Sequence, residues 1–479
     1  MSKLMGLGLN LEGHLLFEPV EEDKATEQLI EALELTATAT RKLSRMVNKG
    51  ETFRSEAERA TEDPGDPRKA GWTYLIHADD PRRDDIAKIL APLAEHRGMD
   101  LDLGPLVYDS LAADDPFAWL NEAYFGLTLD GKQPPKYVLI IGDPSQVPFQ
   151  FQSLLDSVAN VGRVDFDSLD DLEHYVSKVI RIEQAKSPIV DREAIVFAPD
   201  AGLPDPTYFS RLYMAEPLVE HIQGDLHVPT TSLLGADATK SKLLDELRAR
   251  KPALVYTASH GLGAMGQPED VQRRYNGAIC CQHDGALTPD ALFAGDDVPA
   301  NEPFLEGSVI YQFACFGYGT PAVSDYAHWL TNVPKKYTEA DFVAALPKRL
   351  LAHPRGPLAY IGHLDTAFLH GFTDQRSPHI LDRWHVRIAP FVDAVDRLLR
   401  VENAGRAMEK INQRYAISNA LLTNTYDRIK RSGDRWEWTP QRRHKFVDTW
   451  IYRGDAQNYM VLGDPAAHLR IPKPGAATP

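Results

Sequence analysis

Two short motifs in this chain carry residue types that perform acyl-transfer chemistry. Ser259-His260-Gly261 supplies an imidazole followed by a residue without a side chain, and Ala314-Cys315-Phe316-Gly317 supplies a thiol. They lie 55 positions apart. A thiolate is the attacking form of cysteine, and an imidazole can take the thiol proton and later return one to a leaving amine. A tetrahedral intermediate also needs hydrogen-bond donors for its oxyanion. The amides of Gly261, unshielded by a Cβ, and of Cys315 are the expected pair. Gly317 and Gly319 predict a tight bend that leaves the thiol open to solvent. A lone strand-end histidine or a lone cysteine is more often structural, and it is the pairing that points to chemistry. Cys280 and Cys281 have no such context and read as core residues.

Each motif closes an apolar run, 253–258 before the histidine and 308–314 before the cysteine. Runs of this length, rich in β-branched and aromatic residues, predict buried strands of a parallel sheet. In such sheets functional groups gather at the carboxyl ends of the strands. The surrounding pattern agrees. Strands are predicted at 72–76, 106–108, 137–141 and 161–164, with helices at 83–96 and 117–125 and an acidic-capped helix from Ser168. This first α/β unit closes near residue 187. A second set places strands at 194–197, near Thr231, at 278–281 and at 357–361. Its helices fall at 208–222 and 239–250, with one long helix over 391–414. Strands alternating with helices imply βαβ units and a mostly parallel sheet. Residues 1–70 read as a leader, with a helix over 25–47 and a charged linker over 51–68 that contains Asp63-Pro-Gly-Asp-Pro67. The expected division is therefore 1–70, 71–190 and 191–479.

At 479 residues the chain is too long for one simple core. Its 52 Lys and Arg against 68 Asp and Glu leave a net charge of −16, which argues against a nucleic acid or an anionic membrane as partner of the whole surface. Three cysteines make no disulfide framework or Cys-rich zinc site and suit a reducing cytoplasm. The amino terminus lacks the basic start and apolar stretch of a signal peptide, and no run approaches 18 apolar residues. A cytoplasmic protein is expected. Residues 426–453 interleave basic side chains with Trp436, Trp438 and Trp450, a composition also found in single-strand nucleic-acid grooves. The favoured reading is an ordinary helix with snorkelling basic side chains. Gly261-Leu-Gly-Ala-Met-Gly266 fits a dinucleotide fingerprint, but Gln267-Pro-Glu-Asp interrupts the helix it requires. No G-x-S-x-G elbow is present.

The order strand–His-Gly, strand–Ala-Cys resembles the clan CD cysteine peptidases, which include caspases, legumain, separase and gingipains. It is most similar to the gingipain-like branch and the related bacterial CHAT peptidases. Tyr137-Val-Leu-Ile-Ile-Gly-Asp-Pro-Ser-Gln-Val-Pro148, Val161-Gly-Arg-Val164 and Lys178-Val-Ile-Arg-Ile-Glu183 resemble the first subdomain of those enzymes. Asn276-Gly-Ala-Ile, Asp284-Gly-Ala-Leu-Thr288, Gly356-Pro-Leu-Ala-Tyr-Ile-Gly-His363 and Asn458-Tyr-Met-Val-Leu-Gly-Asp-Pro465 resemble later segments. The resemblance implies a caspase-like α/β fold with two α/β subdomains in series. It implies an endopeptidase that forms an acyl-thioester, with Cys315 as nucleophile, His260 as base and Gly261 as an oxyanion donor. Members of this branch often select a basic P1 side chain with an acidic pocket residue. Asp156 is the candidate here, ahead of Asp165 and Asp167, against the reading of a solvated loop acid. Asp143 is a candidate to orient His260, although Gly-Asp-Pro is also good turn chemistry. No cofactor is expected. Structural calcium, bound by some relatives, stays open, though no EF-hand loop is present. The expected partners are a protein or peptide substrate and a regulatory protein acting through residues 1–70; whether that leader inhibits, recruits or completes the fold is open. Secreted members carry signal and secretion segments not found in this sequence, so an intracellular regulatory or bacterial defence role is expected. The alternative is a catalytically silent caspase-like adaptor.

Overall fold

The apolar runs fold as strands of one large sheet. The computed structural model describes residues 3–34, 36, 37, 40, 63–373 and 387–472. Three short strands open the chain: β1 (Lys3–Leu4), β2 (Gly8–Leu9) and β3 (Val20–Glu21). A first series follows, β4 (Trp72–His77), β5 (Leu106–Tyr108), β6 (Tyr137–Ile141) and β7 (Asn160–Val164). Next come β8 (Asp191–Ala198), β9 (Thr230–Leu234) and β10 (Pro252–Ala258). Short strands β11 (Gly261–Leu262), β12 (Ile279–Cys280) and β13 (Leu292–Phe293) precede β14 (Val309–Phe313). After β15 (Gly319–Thr320) and β16 (Phe342–Val343), β17 (Ala359–His363) and β18 (Tyr459–Gly463) complete the set.

Ten of these strands pair in the order β5-β4-β6-β7-β18-β17-β14-β10-β8-β9. Every neighbouring pair is parallel except β17 and β18, which meet antiparallel from Ala359 opposite Gly463 to His363 opposite Tyr459. The sheet is thus two five-stranded parallel halves running in opposite directions. Strand β18 comes from the end of the described chain yet belongs to the first half. Its following residue, Asp464, is buried and receives Trp72 Nε1 at 2.9 Å and Arg97 Nε at 2.8 Å, which fastens it to β4 and to the helix Arg83–Arg97. Helices cover both faces. Leu172, Val176 and Val179 of the helix Leu169–Glu183 and Leu346 and Leu350 of Ala345–Ala352 close one face. Phe391 and Val395 of Ala389–Leu399 close the other. The helix Leu169–Glu183 begins where Ser168 caps the Asp171 amide. The expected mostly parallel α/β class is the observed one.

Three expectations need correction. The single helix over 391–414 is broken between Leu399 and Ala404, where Val401 takes a left-handed φ of 70° and the chain turns into Glu409–Ser432. Asn403 in that break donates to the Ala466 carbonyl and accepts the Tyr137 hydroxyl, an anchoring that hydrophobic periodicity does not encode. The helix over 117–125 winds into a π turn at Leu120–Tyr124. The leader helix is observed at Glu22–Glu31. Positions 35, 38, 39 and 41–47 of the predicted span, and 51–62 of the linker, lie outside the described residues.

Candidate active site

Register brings His260 and Cys315 to one edge of the sheet. Strands β10 and β14 are parallel neighbours with Ala258 opposite Phe313. Two residues beyond each of these come His260 and Cys315, at one edge of the sheet. Alternation sets the face. Tyr256, Ala258, Tyr311, Phe313 and Cys315 share one buried cluster, whereas Val255 and Ile310 belong to the cluster on the opposite face. Gly261 lets the two loops touch: a Cβ there would lie 1.8 Å from the Cys315 carbonyl oxygen. Glycine is therefore demanded by backbone contact as well as by any approach of a substrate.

His260 is buried, and its Nε2 lies 2.9 and 3.1 Å from the two carboxylate oxygens of Asp205. Burial pushes the Asp205 carboxyl upward, but the hydrogen bond and charge of His260, together with hydrogen bonds from Thr207, hold the group below its ordinary value. Asp205 also caps the helix Pro206–Ser210 by accepting the Thr207 amide at 2.8 Å. With Nε2 committed to Asp205, Nδ1 is the ring nitrogen left for a thiol or a substrate, and it is buried with no hydrogen-bond partner.

Cys315 is fully buried, which corrects the expectation of a solvent-open thiol. Its Sγ accepts the Ala367 amide at 3.2 Å, and burial pushes the thiol pKa well up. The cover is the start of the chain itself. Strand β2 runs parallel to β11, with Gly8 opposite Gly261 and Leu9 opposite Leu262. On the other side Gly6 bridges Phe368 in the antiparallel sense. The Leu7 amide donates to the Ala367 carbonyl at 2.9 Å, and the Leu369 and Gly263 amides donate to the carbonyls of Met5 and Leu9 at 3.0 and 2.8 Å. The Leu7 carbonyl accepts the Gly261 amide at 3.0 Å and, at a longer 3.4 Å, the Cys315 amide. The two amides expected to hold an oxyanion thus meet on one carbonyl oxygen. A Cβ on Gly8 would lie 3.4 Å from Sγ.

The structure does not bring the other candidates to this pair. Strand β6 runs opposite to β10, so Asp143 leaves the sheet at the far edge, where its carboxylate accepts the Ser145 amide at 2.7 Å. Asp205 stands where Asp143 was expected. Asp156 ends the helix Phe149–Asp156 and accepts the Val161 amide at 3.2 Å, beside β7 and three strands from β14. Asp165 and Asp167 pair with Lys348 at 3.0 and 3.2 Å. Cys280 and Cys281 are buried free thiols; burial pushes Cys281 up to about 12. In the basic stretch Trp436 lies under the guanidinium groups of Arg428 and Arg442, and Trp438 packs on Phe446. Those aromatics are engaged within the protein. Among the described residues no helix is long and apolar enough to cross a membrane. Asp205 was the missed residue. Its sequence signal was faint: an acid between two prolines, in the loop after β8, the strand next to β10.

No protein-family model and no curated protein sequence matches the chain. Among solved structures it is similar to gingipain R, an Arg-specific cysteine proteinase, with a TM-score of 0.44 and 13% identity over 84% of this chain and 78% of that one. A complex of the pro- and mature domains of Porphyromonas gingivalis RgpB gives 0.43 and 12%, over 83% and 79%. A structure described as a protease gives 0.47 and 12%, over 83% and 79%.

Proposed function

We propose that the protein is a cysteine endopeptidase that cleaves extended protein segments. The observation that carries this reading is the Leu7 carbonyl, held by the Gly261 and Cys315 amides beside Sγ, in the position a scissile carbonyl must take. A substrate strand lies between Ala367–Leu369 on one side and Gly261–Gly263 on the other, replacing the backbone bonds that Met5–Leu9 now makes. His260 Nδ1 takes the thiol proton, and the thiolate adds to the carbonyl carbon. The oxyanion takes the two amide N–H groups. Collapse breaks the C–N bond, the leaving amine receives the proton from the imidazolium, and Cys315 keeps the acyl group as a thioester. Water, deprotonated by His260, then releases the carboxylate and restores the thiol. Asp205 is a positioning residue: its carboxylate fixes the ring and stabilises the imidazolium that forms.

Cys315→Ala and His260→Ala are each expected to cut hydrolysis of a mixed peptide library by about 10²–10⁴-fold or more, with unchanged circular dichroism. Undiminished turnover in either variant overturns the proposal.

A further inference from the structure

The segment that covers the thiol is bound as a substrate would be. It is antiparallel to Phe368 before Leu7 and parallel to β11 after it, and the Leu7 carbonyl lies on both candidate oxyanion donors. From this we infer that Met5–Leu9 is an internal substrate mimic that holds the site shut, and that Leu7 marks the P1 position of a subsite for a mid-sized apolar side chain. The inference rests on the peptidase reading above and gives it a substrate class and a regulation.

Three observations support it. Leu7 is fully buried, in the apolar cluster that contains Cys315, so the subsite it fills is matched to a hydrocarbon side chain rather than to the basic one the resemblance implied. Gly6 lies so close to Thr366 that a Cβ would come within 2.7 Å of Thr366 Cγ2, so any side chain at the preceding position must displace that methyl group. The occupant is also tethered on both sides. Leu4 of β1 is buried where β1 pairs with β3, and the helix Glu22–Glu31 that follows buries Leu29. His444 of the helix Pro440–Gln457 bonds Glu22 in that same helix. A tethered strand acts at a high effective concentration, so a free substrate competes only after the segment is displaced.

The test uses the full chain with two substitutions of different kinds. Gly6→Val collides with Thr366, and Leu7→Glu puts a charge where burial is complete. Cys315 alkylation by iodoacetamide is followed by peptide mapping, which separates it from Cys280 and Cys281. Hydrolysis is followed with fluorogenic amides ending in Met-Gly-Leu and Met-Gly-Arg. Both variants are expected to alkylate at Cys315 at least tenfold faster than the wild type and to hydrolyse the leucine amide at least tenfold faster. They are also expected to prefer leucine to arginine by at least tenfold. Equal alkylation rates in wild type and folded variants overturn the occlusion, as does a wild-type rate equal to that of a free thiol should neither variant fold. Preference for the arginine amide overturns the P1 assignment. A released, reactive thiol that hydrolyses neither amide upholds the occlusion while sinking the peptidase reading and its P1 subsite together.

Discussion

The two halves of the sheet are built alike and end differently. Both are five parallel strands under helices, yet in the first half two prominent polar groups near the strand ends, Arg163 and Asp143, are tied into local structure. Arg163 is buried with its guanidinium spent on Gln152 and on the Gly142 and Val147 carbonyls. Asp143 closes a turn. In the second half β10 and β14 end in a histidine with one ring nitrogen unspent and a thiol whose neighbouring amides converge on a borrowed carbonyl. The same architecture thus ends in different loops in its two halves, and the fold alone does not name the function.

Paired glycines give the widest separation between the halves. A Cβ at Gly261 would lie 1.8 Å from the Cys315 carbonyl oxygen, and one at Gly162 would lie 2.1 Å from the Gly463 carbonyl oxygen at the β7–β18 contact. Each Gly→Ala change is expected to destabilise by about 1–3 kcal/mol in urea unfolding, because backbone must move. Gly261→Ala is also expected to lower turnover per folded molecule by at least about 10²-fold, since it displaces two amides at once. Gly162→Ala should leave that quantity unchanged. Equal losses of turnover in the two variants would show that the site depends on general sheet integrity and not on the loop contact.

A smaller difference is expected between two acids. Asp205→Asn weakens the hold on His260 and should cost about 1–3 kcal/mol of transition-state stabilisation, a fall of about fivefold to 150-fold. The loss should appear in kcat with KM nearly unchanged, because the residue touches the imidazole and not the substrate. Asp143→Asn, at the far edge, should leave both parameters as they are. A matched fall in the two variants, or a change confined to KM for Asp205→Asn, refutes the positioning role.

The contrast also shows what a sequence can reveal. The strands of both halves were legible because β-branched runs of fixed length are demanded by burial on two faces. That His260 and Cys315 reach one edge was legible because parallel strands deliver their ends together. Asp205 was not, because its place depends on which strand neighbours β10, and sheet order is a long-range outcome of packing. The exposure of the thiol was misjudged for a related reason. Gly317 and Gly319 describe the local bend, whereas the cover comes from Leu7, more than 300 positions away. The antiparallel joint of β17 and β18 was equally hidden, since each strand reads alone as an ordinary buried run.

The smallest effects separate the halves by pH. In the first half, hydrogen bonds from Arg82 hold Asp80 down at about 2. A depressed acid adds stability that is present above its ordinary value near 3.8 and is lost as pH falls toward 2. In the second half, burial and then the neighbouring Asp365 carboxylate push Asp325 up to about 6, with Arg453 opposing. The folded protein then keeps a proton that the unfolded chain has released, so this group makes stability fall as pH rises from about 4 to about 6 and stay level above. Asp325 is linked to the loop that follows the cysteine strand's neighbour, for Asp365 accepts the Asp325 and Thr366 amides and its carbonyl accepts the Phe316 amide. Urea midpoints measured from pH 3 to pH 7 should therefore respond in opposite senses. Asp80→Asn is expected to flatten the acid-side loss, and Asp325→Asn is expected to remove the decline between about 4 and 6 and raise the midpoint at pH 7. An unchanged slope in Asp325→Asn would mean that the carboxyl is already ionised in the folded protein and is better solvated than its packing implies.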